Sequence, residues 1–288
     1  MSRWSERRAG FRALLAGKQC IYPASVFDPI SARIAADLGF EAGMFAGSTA
    51  SLAVLGAPDI VVLTLSEFAA QALRINRAAE LPLMVDADHG YGNALNVMRT
   101  VEELEIAGVA GLSIEDTELP TAFGVGGKPR LLTLEEGVGK MRAALAGRRD
   151  PALVIAGRTS APMLSSVPDA LRRLKAYEAA GVDALFIVGL QTRAELDLLA
   201  AELRLPLILG AAGVELFDRD YLAARGARIC LQGHQPFMAA VQAIHDTMAA
   251  LRAGVAPAKL ERLAGAELVA RVTRAADYAR WGREYGGN

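Results

Sequence analysis

Short apolar runs recur along the chain, each closed by a Gly, Ser, Asp or Pro cluster and followed by a longer stretch with Ala, Leu, Arg and Glu at helical spacing. Eight runs qualify as strands: 20–24, 43–47, 82–87, 110–115, 152–157, 184–188, 206–210 and 228–232. Nearly all are apolar throughout, as strands buried on both faces of a parallel sheet must be. Glycines follow Leu38, Ala107 and Ala180 at three helix-to-strand joints, where a left-handed helix terminus needs one. Eight βα units over about 230 residues predict an α/β protein built as a (β/α)8 TIM barrel. A doubly wound open sheet would carry a Gly-rich turn after its first strand; here that turn reads Pro23-Ala24-Ser25-Val26-Phe27-Asp28. No Pro/Gly/Ser-rich linker divides the chain, so 1–288 reads as a single barrel domain opened by an amphipathic N-terminal helix. Helical stretches near 236–252, 257–264 and 266–282 exceed what one closing unit requires, and this surplus (about 236–283) is assigned to subunit packing.

Composition narrows the partners. With 52% hydrophobic residues, disorder is excluded. Lys+Arg 31 against Asp+Glu 32 gives a formal net charge of -1, which offers no pull toward nucleic acid or an anionic membrane, so a small molecule is the expected partner. Cys20 and Cys230 lie in apolar stretches and read as buried, inert thiols suited to a reducing cytoplasm. The N-terminus lacks the apolar core of a secretory signal, and no segment is apolar enough to span a membrane.

Reacting groups of such barrels sit at the carboxyl ends of the strands. The third strand ends in Asp86-Ala87-Asp88-His89-Gly90-Tyr91-Gly92, and strand alternation is expected to send Asp86 and Asp88 to the same side. The fourth ends in Ile114-Glu115-Asp116. Carboxylates facing one cavity repel unless a proton or cation neutralises them, and all-oxygen ligation favours Mg2+ or Mn2+ over Zn2+. The alternative is that these acids cap helices or pair with Arg99 and Arg130 on the surface. Arg158, at the end of the fifth strand, can grip a substrate carboxylate or pair with Glu115. Gly47-Ser48-Thr49 closes the second strand with small residues that let N–H groups and a hydroxyl approach a substrate oxygen. His234 follows the eighth strand and is a candidate for proton transfer or substrate binding, whereas His245 sits within a helix and reads as structural. Gly124-Val125-Gly126-Gly127-Lys128 lacks the strand and spacing of a phosphate-binding loop and reads as a mobile segment.

Together Phe27-Asp28-Pro29-Ile30-Ser31-Ala32-Arg33, Gly47-Ser48, Val85-Asp86-Ala87-Asp88-His89-Gly90-Tyr91-Gly92-Asn93, Ile114-Glu115-Asp116 and the Arg158 strand end resemble the phosphoenolpyruvate mutase/isocitrate lyase superfamily over most of the chain. The resemblance implies a barrel with its terminal helix swapped between subunits, a homotetramer (a dimer of dimers), and Mg2+ held directly or through water by Asp86, Asp88 and Glu115, with Asp59 as a further acid of that site. Lyases of the superfamily carry a Lys-Lys/Arg-Cys-Gly-His sequence in the loop after the fourth strand; this chain reads Leu119-Pro120-Thr121-Ala122-Phe123-Gly124-Val125-Gly126-Gly127 there, without thiol or imidazole. A reaction with fewer proton transfers fits better. The chain therefore most resembles the bacterial branch that decarboxylates oxaloacetate, or C3-substituted analogues, to pyruvate and CO2 through a metal-stabilised enolate. On that reading Ser48 and Gly47 hold the oxygens of a 2-ketodicarboxylate, Arg158 anchors a carboxylate, and His234 meets the departing carboxylate or the enolate. The alternatives are a C–C lyase or hydrolase on a related dicarboxylate, of the 2-methylisocitrate lyase or oxaloacetate hydrolase kind, and a non-catalytic ketoacid-binding barrel.

Overall fold

The computed structural model describes residues 3–121, 124 and 129–287. Contacts divide it into two compact units, Met1–Gly233 and His234–Asn288.

The first unit is the barrel. Its strands are β1 (Ala24–Ser25), β2 (Gly43–Phe45), β3 (Leu83–Asp86), β4 (Gly111–Glu115), β5 (Val154–Thr159), β6 (Ala184–Val188), β7 (Leu207–Gly210) and β8 (Ala227–Cys230), hydrogen-bonded in sequence order. Every pairing from β1 to β8 is parallel. The ring closes at Ile21, which bridges Ile229: Ile21 N–H donates to the Arg228 carbonyl at 2.8 Å and Cys230 N–H to the Ile21 carbonyl at 3.0 Å. The expected first strand, 20–24, is thus split around Pro23, which has no N–H to give to a ladder. The second strand ends at Phe45 rather than residue 47, because Gly47 already opens the helix Gly47–Ala50. The fifth strand starts two residues later than expected and runs on through Arg158.

Alternation along the strands separates two cores. Leu83, Val85, Leu112, Ile114 and Ile155 face the helices, while Met44, Met84, Ala156, Ala184, Phe186, Ile208 and Ile229 fill the barrel. Phe11 and Leu15 of the N-terminal helix Arg3–Ala16 join the inner cluster and plug its amino-terminal end. The helix is held there by arginines that cap carbonyls: Arg7 on Asn76, Arg8 on Val109 and Glu105, Arg12 on Ala152 and Leu153. The expected helix-terminal glycines all adopt left-handed φ, 80° at Gly39, 84° at Gly108 and 99° at Gly181. With the amino-terminal end plugged and the inside packed, the polar inner-face positions are those where the strands end.

The second unit contains the helices Gln235–Arg252, Ala266–Thr273 and Ala275–Tyr285. The helix expected over 257–264 is reduced to a 3-10 turn, Pro257–Lys259. Arg262 lies beyond it at φ 59°, a left-handed conformation no α-helix can contain.

Candidate active site

Strand register assembles the polar groups. Asp86 is the Cα partner of Ser113 across β3–β4, and Glu115 of Arg158 across β4–β5, so all four share the inner face at the carboxyl ends. Arg158 donates through Nη1 to Asp86 Oδ2 and pairs through Nη2 with Glu115 Oε2 at 3.3 Å. Ser113 Oγ donates to Asp86 Oδ1 at 2.9 Å, and Thr117 Oγ1 to Glu115 Oε2 at 3.0 Å. Below the guanidinium lies the Phe186 ring, its centroid 5.4 Å from Cζ.

Asp88 joins the group by a route other than strand alternation. β3 ends at Asp86, and a turn follows in which Asp88, Gly90, Tyr91 and Gly92 all have positive φ. Asp88 is tied on both sides, by its N–H to Asp86 Oδ1 at 3.3 Å and by the Glu115 N–H on its carbonyl at 2.9 Å, while Gly90 N–H closes the turn on the Ala87 carbonyl and Lys140 and Thr100 hold the His89 and Gly90 carbonyls. The Asp88 carboxylate lies against Gly47 so closely that a Cβ there would fall 2.3 Å from Oδ2.

The acids carry more negative charge than Arg158 neutralises, which a proton or a cation can relieve. Burial first, then the Asp86 and Glu115 charges, push the Asp88 carboxyl well above the usual carboxylate range, and Arg158 opposes this only in part. Burial likewise raises Glu115. Arg158 stays charged although burial opposes it, because Asp86 and Glu115 flank it. One guanidinium thus faces three carboxylates. Among the described residues no three His, Cys, Asp or Glu are drawn together tightly enough to enclose an ion by themselves. The chemistry of the donors, carboxylate oxygens without thiol or imidazole, is of the kind that suits Mg2+, which keeps several of its waters and takes one or two carboxylates directly. The absence of a side chain at Gly47 makes room for the Asp88 carboxylate, and the buried, unpartnered Tyr91 hydroxyl provides a further oxygen near Asp88 and Asp86.

The surface alternative is excluded, since Arg99 pairs with Glu102 and Glu103, and Arg130 with Glu118. Gly47 and Ser48 open the helix Gly47–Ala50, whose leading N–H groups point out of its first turn. Asp59 is exposed, yet its charge contributes to raising Asp88. His234 opens the second unit and caps the helix Gln235–Arg252 through its carbonyl, which accepts from Phe237 and Met238. His245 lies on that helix beside Asp246, exposed. Most of the 122–128 segment, including the glycine-rich stretch, lies outside the described residues. Sequence reasoning missed Ser113, Thr117 and Tyr91. Period-two spacing from Glu115 would have placed Ser113 on the inner face. Asp116, one residue beyond, points away to accept from Thr159, Arg173 and Tyr177, a buried structural junction.

An eight-stranded closed barrel with acids at adjacent strand ends defines a class of enzyme scaffold, and comparison with known proteins gives it a family. Residues 11–252 match the phosphoenolpyruvate phosphomutase family model, and the chain belongs to that family. It is 60% identical to an oxaloacetate decarboxylase of Bradyrhizobium diazoefficiens over 94% of each chain. Among solved structures it resembles a phosphonopyruvate hydrolase in complex with oxalate and Mg2+ (TM-score 0.87, 26% identity, 97% of this chain and 99% of that one). An oxaloacetate acetylhydrolase bound to 3,3-difluorooxalacetate is similar at TM-score 0.87 and 26% identity, covering 99% of this chain and 98% of that one.

Proposed function

We propose that this chain decarboxylates oxaloacetate, or a C3-substituted analogue, to pyruvate and CO2, with Mg2+ or Mn2+ held by Asp86, Asp88, Glu115 and Asp59 directly or through water. The observation that carries the reading is the set of three carboxylates crowding one guanidinium at the open end of a plugged barrel. A divalent ion bound there supplies electron withdrawal at the 2-keto acid end of the substrate. The remaining chemistry falls to the chain. As the C3–C4 bond breaks, its electron pair moves toward the C2 oxygen, C4 leaves as CO2, and C3 then takes a proton. Gly47 and Ser48 meet the keto-acid oxygens through leading N–H groups and the hydroxyl, donors fixed before the charge develops. Arg158 has five N–H donors, and its bonds to Asp86 and Glu115 leave others to anchor a substrate carboxylate. His234, four residues beyond β8, is assigned from chain order to the departing carboxylate or to protonation at C3.

The proposed setting is cytoplasmic, with a homotetramer in which the terminal helices are exchanged. The buried free thiols and the exposed apolar residues of the helix Gln235–Arg252 support it. Among the described residues no helix is long and apolar enough to cross a membrane. The test is product analysis: purified protein with Mg2+ and oxaloacetate should form pyruvate and CO2 faster than Mg2+ alone. Oxalate plus acetate would assign hydrolysis, glyoxylate a lyase, and binding without turnover a ketoacid-binding barrel.

A further inference from the structure

We propose that Ser113 is a positioning residue of the cation site, acting on Asp88 through Asp86; the proposal rests on assigning those two acids to that site. Packing alone does not account for this hydroxyl. Ser113 is fully buried on the inner face of β4, and its register partner on β5 is Ala156. On the amino-terminal side its inner-face neighbours Met84, Ala156, Ala184 and Phe186 are apolar, and only its β3 partner Asp86 gives the hydroxyl a polar neighbour in register. A hydroxyl is tolerated there only with a partner, and Asp86 Oδ1 is that partner at 2.9 Å.

The consequence runs along a chain of bonds. Oδ1 also accepts the Asp88 N–H at 3.3 Å, while Oδ2 is taken by Arg158. Ser113 thereby sets which way Oδ1 points, and Oδ1 is the acceptor of the Asp88 N–H in a turn that is also held by Gly90 N–H on the Ala87 carbonyl and Glu115 N–H on the Asp88 carbonyl, with Asp88 at φ 49°. A non-glycine residue in that left-handed conformation persists only when its surroundings hold it. The turn in turn delivers the Asp88 carboxylate to the space left by Gly47. Without the hydroxyl, Asp86 keeps Arg158 but can rotate about it, and the Asp88 turn loses its fixed acceptor. Outer partners of this kind usually change metal affinity by about 10–100-fold.

The experiment measures Mn2+ binding to the full chain by the electron paramagnetic resonance of the free aqueous ion, with ion-free thermal melting alongside. Ser113→Ala is expected to bind Mn2+ at least about 10-fold more weakly while melting near wild type without the ion. In turnover, the Mg2+ concentration giving half-maximal rate should rise, with little change in kcat at saturating ion. Wild-type Mn2+ affinity in Ser113→Ala, with binding lost in Asp88→Ala, overturns the role of Ser113 and leaves the site intact. Wild-type affinity in Asp88→Ala overturns the site itself. A loss in Ser113→Ala matched by a lower ion-free melting temperature makes the hydroxyl a general structural contact and also overturns the proposal.

Discussion

Asp88 and Gly47 form a matched pair, one projecting a carboxylate and the other leaving space for it. Gly47→Ala would put a methyl group 2.3 Å from Asp88 Oδ2, so the carboxylate must swing away. The expected result is metal-dependent turnover reduced by two orders of magnitude or so, in a protein with an unchanged circular dichroism spectrum; retained turnover would show that the close approach has no bearing on the chemistry. Arg158→Lys keeps the charge but loses the planar fork that reaches Asp86 and Glu115 together, and both KM and kcat should suffer. An unchanged KM would remove Arg158 from substrate binding. At this scale the sequence was legible where chemistry sits on strand ends, since Asp86, Glu115 and Arg158 do meet. Asp88 reaches the same group as expected but by a different route, because alternation holds only while the strand continues and the left-handed turn after Asp86 sets a new direction. The Phe27–Arg33 string that helped mark the resemblance proves to be a helix start: Asp28 and Ser31 form a capping box around the helix Pro29–Asp37.

Among the elements, the N-terminal helix Arg3–Ala16 shows how far a hydrophobic pattern can be read. It was expected to be amphipathic, but apolar and charged residues share its buried face: Arg7 and Arg8 are buried beside Phe11 and Leu15, and with Arg12 they satisfy carbonyls at the amino-terminal end of the barrel. Composition cannot separate a solvated arginine from one that caps a backbone, because both need only a long stem and a charged tip. The apolar residues of that face join the inner core. Phe11 is fully buried against Gly111 on β4, where a Cβ would lie 2.7 Å from the ring. Phe11→Ala should therefore open a cavity at the base of the barrel and lower stability by about 3–5 kcal/mol. Urea unfolding measures this, and a loss below about 1 kcal/mol would mean that the plug is dispensable. β1 carries the complementary lesson, for an apolar run containing Pro23 was legible as a strand position yet cannot supply a continuous ladder.

For the whole molecule, titration and assembly are the tests. Burial pushes Cys20 up to about 11 and Cys230 up to about 12, whereas both ionise near 9.0 in an unfolded chain. Above that pH the unfolded chain gives up these protons first, so stability falls as pH rises from 8 toward 11. The urea midpoint should drop over that range, and drop less in a Cys20→Ala/Cys230→Ala variant; equal drops would assign the titration to other groups. Assembly concerns the second unit. On the helix Gln235–Arg252 no residue is buried, and Val241, Ile244, Met248 and Leu251, spaced three and four apart, leave an apolar stripe exposed. Leaving one such side chain in water rather than buried forgoes roughly 1.5–3 kcal/mol, so a stripe of this length is a strong drive to associate. The proposed tetramer would cover it. Ile244→Asp places a charge in the middle of the stripe and should shift the mass measured by light scattering from the assembled species toward smaller ones. If the mass is unchanged at micromolar concentration, the stripe does not form the subunit contact, and the exchange of terminal helices loses its physical support.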